Sequence, residues 1–150
     1  MVTPRYFEDW SVGDRFETAS LAITRDDIVR FAREFDPQPF HLDDAAGAAS
    51  VFGSLCASGW HTASIAMKLI VETGAFSSDG VVGLGIEMLR WLSPVRPGDE
   101  LSVLCIVAAT RATRRPESGI VTFDNVVRTH VHNAMTYEAA VLIPRRPSIV

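Results

Sequence analysis

Apolar residues fall at helical spacing over Ile28, Phe31, Ala32 and Phe35, and this predicts an amphipathic helix with one buried face. Its start is marked by Thr24-Arg25-Asp26-Asp27. A threonine hydroxyl can satisfy a free N–H there, and two acids oppose the positive end of the helix dipole. Pro37 and Pro39 are expected to stop it, since neither has an N–H to donate. Upstream, 12–15 reads as a turn leading into a strand over 16–23, and 43–49 reads as a short helical piece. Over 59–72 the apolar positions surround the helix almost completely, which predicts a buried helix ending at Gly74.

Beyond Gly80 the period changes. The stretches 81–91, 100–111, 119–132 and 135–143 are rich in Val, Ile, Thr, Leu and aromatics and predict strands. Between them lie turn-forming sets: Pro94 to Asp99, Arg115 to Gly119, and Asn133-Ala134, the last short enough for a hairpin. Helices first and a strand meander afterwards predict an α+β domain with the apolar helix laid against an antiparallel sheet.

Composition narrows the classes. With 150 residues, 47% hydrophobic and 21% charged, the chain reads as one globular domain over 1–150. A net charge of -4 with scattered basic residues argues against a nucleic-acid partner, which needs a positive surface to displace counterions. The longest apolar stretch, 65–71, is broken by Lys68 and is too short to span a bilayer. Residues 1–16 show no apolar leader run, so a cytoplasmic, membrane-free protein is expected. Cys56 and Cys105 belong to no C-x-x-C pair and read as buried free thiols.

The segment Asp36-Pro37-Gln38-Pro39-Phe40-His41-Leu42-Asp43 sets a carboxylate and an imidazole five residues apart on a stretch stiffened by two prolines. Such a pair can grip one water, one group accepting its proton while the other orients its oxygen. The alternative is that Asp36 turns the chain after the helix and His41 packs in a loop. A second feature is Ser58-Gly59 at the start of the apolar helix. Unpaired N–H groups and the helix dipole there favour a carbonyl oxygen that is gaining charge. The alternative is a glycine present only for tight packing. Together the two features supply what proton chemistry beside a thioester carbonyl requires.

On these residues the chain resembles the MaoC-like dehydratases, the (R)-specific enoyl-CoA hydratases. Their segment D-x-N-P-x-H-x-D is matched by Asp36, Pro39, His41 and Asp43. The likeness extends to Phe7-Glu8-Asp9-Trp10, Gly13-Asp14, Ser58-Gly59-Trp60-His61, Pro94-Val95 and Pro97-Gly98-Asp99-Glu100-Leu101. It implies a hotdog fold, with a long central helix wrapped by a curved antiparallel sheet, and a homodimer with an acyl tunnel along the interface. It also implies reversible hydration of a trans-2-enoyl thioester, on coenzyme A or acyl carrier protein, without cofactor or metal. Asp36 and His41 would be catalytic and the Gly59 N–H would polarise the carbonyl. Ser64, one turn into the helix, is a further candidate contact, with helix packing as its other explanation. Gln38 replaces the usual Asn, and Ser58 stands where many hydratases carry His. Those departures leave two rivals, a hotdog thioesterase and a non-catalytic acyl-thioester-binding subunit.

The other histidines fit structural roles. His61 sits beside Trp60 in the first helical turn and reads as packing. His130 and His132 alternate along a predicted strand and share a face, as a metal pair would, but no third ligand accompanies them.

Overall fold

A computed structural model describes residues 4–76 and 79–148. After a single 3-10 turn at Phe7–Asp9 come β1 (Arg15–Glu17), β2 (Leu21–Ala22), α1 (Arg25–Phe35), α2 (Pro39–Leu42), α3 (Asp44–Ala49) and α4 (Gly59–Glu72). The meander β3 (Val82–Trp91), β4 (Glu100–Ala112), β5 (Ser118–Arg128) and β6 (Asn133–Pro144) follows. All pairings are antiparallel, in the order β1-β4-β5-β6-β3, with β2 also pairing with β4.

The expected strand over 16–23 is two short strands. Between them Thr18 leaves the ladder pattern: its N–H reaches the Val103 carbonyl and its hydroxyl accepts the Val103 N–H. α1 begins as the sequence predicts, with the Thr24 hydroxyl accepting the Asp27 N–H at 3.1 Å. α1 ends at Phe35, ahead of Pro37 and Pro39 as expected, and Pro39 in addition opens α2. Its fixed φ suits the first helical position, where its missing N–H costs nothing. Asp43 caps α3 by accepting the Ala46 N–H.

The core lies between α4 and the inner face of the sheet. Ile65, Ala66, Leu69 and Ile70 of α4 meet Val103, Val107, Val121 and Phe123, and Trp10, Ile23 and Ile28 close the ends. On the other side of α4, Trp60, Met67 and Val71 are more than half exposed. In the single chain the helix is therefore half covered, not encircled. The apolar residues that made it read as fully buried form a stripe beside edge strand β3, where Val82, Leu84, Ile86, Met88 and Trp91 are also exposed.

β3 carries an irregularity that matters for the site. Its register against β6 shifts between Glu87 and Arg90, and Met88 adopts φ 52°, a left-handed conformation unusual for a side-chain-bearing residue. Because side chains alternate faces, one extra residue reverses which of them point inward. Trp91 consequently pairs with Met135, whose side chain is in the core, while Arg90 pairs with Thr136. The bulge turns Trp91 toward α4 and Arg90 away from it.

Candidate active site

Asp36 is the C-cap of α1, with its N–H still bonded to the Ala32 carbonyl at 2.9 Å. Three residues later, at Pro39, the chain re-enters helix, so His41 rides on the single turn α2 rather than on an extended loop. Both side chains are largely buried, 18% exposed for Asp36 and 7% for His41. His41 Nδ1 lies 2.6 Å from the Cys56 carbonyl oxygen. A carbonyl only accepts, so Nδ1 carries the proton and the lone pair of the neutral ring sits on Nε2. That atom lies 3.4 Å from Asp36 Oδ2. Two acceptors so placed suit a water that donates one hydrogen to each; a protonated ring would make an ion pair instead.

The Cys56 carbonyl is itself held in place. Cys56 N–H bonds the Phe40 carbonyl at 3.2 Å, and Ala57 N–H bonds the Val95 carbonyl at 2.8 Å. Arg96 ties the adjoining loops together through the Ser54 hydroxyl and the Phe52 carbonyl. The stretch leading into α4 is thereby clamped between α2 and the turn after β3.

Asp36 has three polar neighbours. Gln38 Nε2 donates to Oδ1 at 2.7 Å, so the residue that departs from the usual Asn still serves the carboxylate. Ser58 is completely buried; its hydroxyl accepts the Trp60 N–H and hydrogen-bonds Asp36. Burial alone would raise the Asp36 carboxyl. The Ser58 and Gln38 hydrogen bonds and the His41 charge outweigh it and hold the group below its ordinary value. In the sequence Ser58 stands out only as the neighbour of Gly59 and as a departure from the family's His, not as a partner of Asp36.

Gly59 is the first residue of α4. The Trp60 N–H is taken by the Ser58 hydroxyl, and those of His61 and Thr62 by the Ser58 carbonyl. Among the described residues the Gly59 N–H has no acceptor, and it opens with Asp36 and His41 on one cleft of about 420 Å³. Trp91, Phe40, Phe52 and Pro94 form much of its apolar wall. A β-carbon at position 59 would overlap the Trp91 ring, so glycine is required there for close packing as well as for access.

Ser64 lies elsewhere. It is exposed and its hydroxyl donates back to the Trp60 carbonyl at 2.7 Å, a local helix bond that leaves it outside the cleft. His61 is buried against Phe31, ring centroids 4.6 Å apart and interplanar angle 5°. His130 and His132 are not on a strand: β5 ends at Arg128, and His130 pairs with Glu100 at 2.7 Å in the following turn. No three His, Cys, Asp or Glu side chains converge as metal ligands among the described residues. No helix among them is long and apolar enough to cross a membrane.

One long helix packed against an antiparallel sheet, with a carboxylate and an imidazole meeting at the helix's amino end, defines a hotdog-fold protein of the dehydratase type. The family model described as "MaoC like domain" matches residues 9–130, and the chain belongs to that family. The crystal structure of a MaoC-like dehydratase from Rhodospirillum rubrum shares 44% identity, covers 96% of this chain and 99% of its own, and superposes with a TM-score of 0.91. An (R)-hydratase from A. caviae involved in PHA biosynthesis shares 26% identity over 93% of this chain and 99% of its own, with a TM-score of 0.72. The uncharacterized protein YdeM of Bacillus subtilis is 36% identical over 77% of this chain and 81% of its own length. A 3-hydroxybutyryl-CoA dehydratase of Methylorubrum extorquens is 33% identical over 73% of this chain and 68% of its own length.

Proposed function

We propose that this protein catalyses the reversible hydration of a trans-2-enoyl thioester to an (R)-3-hydroxyacyl thioester. The observation that carries the reading is the 3.4 Å approach of Asp36 Oδ2 to His41 Nε2 in the same cleft as the unpaired Gly59 N–H. A water held by the two acceptors attacks the β-carbon as Asp36 takes one of its protons, with His41 orienting the oxygen. The new C–O bond pushes the π electrons toward the carbonyl, and the Gly59 N–H donates to the enolate oxygen. The proton held on the pair then passes to the α-carbon. One water proton stays on the new hydroxyl and the other ends on carbon, so the pair returns to its starting charge without a cofactor. Membership of the dehydratase family, an (R)-hydratase among the similar structures and a CoA-thioester dehydratase among the relatives support the substrate class and the stereochemistry.

A homodimer is part of the reading. Exposed apolar residues on edge strand β3 and the Trp60–Met67–Val71 stripe of α4 are surface of the kind that a second copy would cover.

The test is incubation with crotonyl-CoA and longer enoyl-CoA thioesters, with product identity and chirality determined. Formation of (R)-3-hydroxyacyl-CoA with the thioester intact is expected, and Asp36→Asn should lower kcat/KM by about 10² or more. Free thiol as the product would make the protein a thioesterase, and an unimpaired Asp36→Asn enzyme would remove the mechanism.

A further inference from the structure

A second cavity, of about 250 Å³, opens beneath the C-terminal half of α4, walled chiefly by Met67, Ile70, Phe76 and Phe123. Its floor is not apolar. Cys105, Asn125 and Tyr137 stand directly opposite one another on β4, β5 and β6, and all three line the cavity. Asn125 is 3% exposed and Tyr137 8% exposed, yet both have hydrogen-bonding capacity left over. The Asn125 amide spends one N–H on the Phe123 carbonyl at 3.3 Å. Its oxygen, and the Tyr137 hydroxyl, meet no partner among the described residues. Neither atom is among the polar atoms sealed in the core without a partner; both belong to residues that line the cavity, where a group that enters can bond them.

The cavity lies along the same helix as the Asp36–His41 cleft. Gly59 opens that cleft and Met67 and Ile70 border this cavity, roughly 12 and 16 Å further along at the helical rise of 1.5 Å per residue. β3 follows the same course, from Trp91 at the cleft to Gly83 at the cavity. An acyl chain whose thioester carbonyl sits at Gly59 would run along this helix toward the polar floor.

We infer that the cavity receives the far end of an acyl chain that carries an uncharged hydrogen-bonding group, a hydroxyl or ketone, held by Asn125 and Tyr137. The inference rests on the thioester-hydratase reading above. A charged end is disfavoured by the lining, which among the described residues holds no Lys, Arg, His, Asp or Glu. A terminal carboxylate would enter without a counter-ion, at a large desolvation cost. Burial keeps the floor neutral as well, raising the Cys105 thiol to about 12 and pushing the Tyr137 phenol up. Both remain protonated donors.

The experiment compares trans-2-enoyl-CoA thioesters of increasing length in three forms: plain, with a terminal hydroxyl or ketone, and with a terminal carboxylate. At the length that reaches the floor, kcat/KM for the hydroxyl or ketone form should exceed that for the plain form by about tenfold or more, because an unmatched polar site penalises the analogue lacking the group. The carboxylate form should be the poorest. Tyr137→Phe, which keeps the ring, should abolish the preference while leaving crotonyl-CoA turnover unchanged, and Asn125→Leu is a second variant with the same expected outcome. Equal turnover of plain and hydroxylated chains at every length would mean that the cavity holds only water, and would overturn the inference. So would a preference that survives both substitutions, or a preferred carboxylate. Absence of hydration of any thioester would instead bring down the hydratase reading and the inference with it.

Discussion

The indole of Trp91 occupies the space that a side chain on Gly59 would need, so strand and helix meet there with no room for a methyl group. The contact depends on the β3 bulge at Met88, without which Trp91 would face the other side of the sheet. Gly59→Ala should therefore displace a rigid ring from the cleft wall and tilt the first turn of α4. We expect kcat/KM to fall by roughly 10², the scale of losing one oxyanion donor, with about 1–3 kcal/mol of overpacking cost in urea unfolding. If the loss comes through Trp91, then Trp91→Ala in the Gly59→Ala background should recover part of the stability. Strictly additive losses would show that the two positions are not coupled.

Ser58 joins the helix cap to the carboxylate. Because its hydroxyl is one of the groups lowering Asp36, Ser58→Ala should let the Asp36 carboxyl rise toward its ordinary range. With Asp36 as the proposed base, which must be ionised to act, the acidic limb of the kcat/KM profile should move to higher pH. The lost cap should cost about 1 kcal/mol of stability in addition. A destabilised variant with an unmoved acidic limb would reduce Ser58 to a helix cap.

Ser64 supplies the converse case. Its hydroxyl returns to its own helix and the residue is exposed, away from the cleft. Ser64→Ala should leave kcat/KM within a factor of about two and stability within about 0.5 kcal/mol, as for an ordinary surface position. A tenfold loss of activity would mean that the hydroxyl turns into the site when substrate binds.

Much of this was readable because local chemistry and tertiary need agreed. The Thr24 cap and the bounds of α4 follow from spacing and capping, whereas the pairing of Asp36 with His41 is singled out only with the resemblance to the MaoC-like segment. Other features escaped because their causes are non-local or because one residue type suits two roles. The β3 bulge sits on Met88, where no glycine announces a left-handed turn. Pro39 reads as a stop from its missing N–H, yet the same property suits it to open α2. The turn at 129–132 ends β5 earlier than its composition suggests; Thr129 organises it, its N–H and hydroxyl donating to the His132 carbonyl and its hydroxyl accepting the Val131 N–H. β-propensity alone carries that strand through His132.

His61 sets a pH dependence of stability distinct from catalysis. Its ring is stacked on Phe31, with Nδ1 buried and without a partner among the described residues. Burial lowers its pKa most; Arg30 lowers it further and Asp27 opposes. In the unfolded chain the ring takes up a proton near its free value of about 6.5, whereas in the fold it resists protonation to lower pH. Between those two values the unfolded state binds more protons, so stability is full above about 6.5 and declines as pH falls below it. Asp36, whose folded pKa is also depressed, adds its own loss only below the ordinary carboxylate range. Urea midpoints measured from pH 7.5 down to about 5 should therefore fall for the wild type. His61→Gln, which cannot titrate, should flatten that decline even if its midpoint at pH 7.5 is lower. Parallel wild-type and His61→Gln curves across the window would assign the decline to other groups, and would mean that the His61 ring is more easily protonated in the fold than its packing implies.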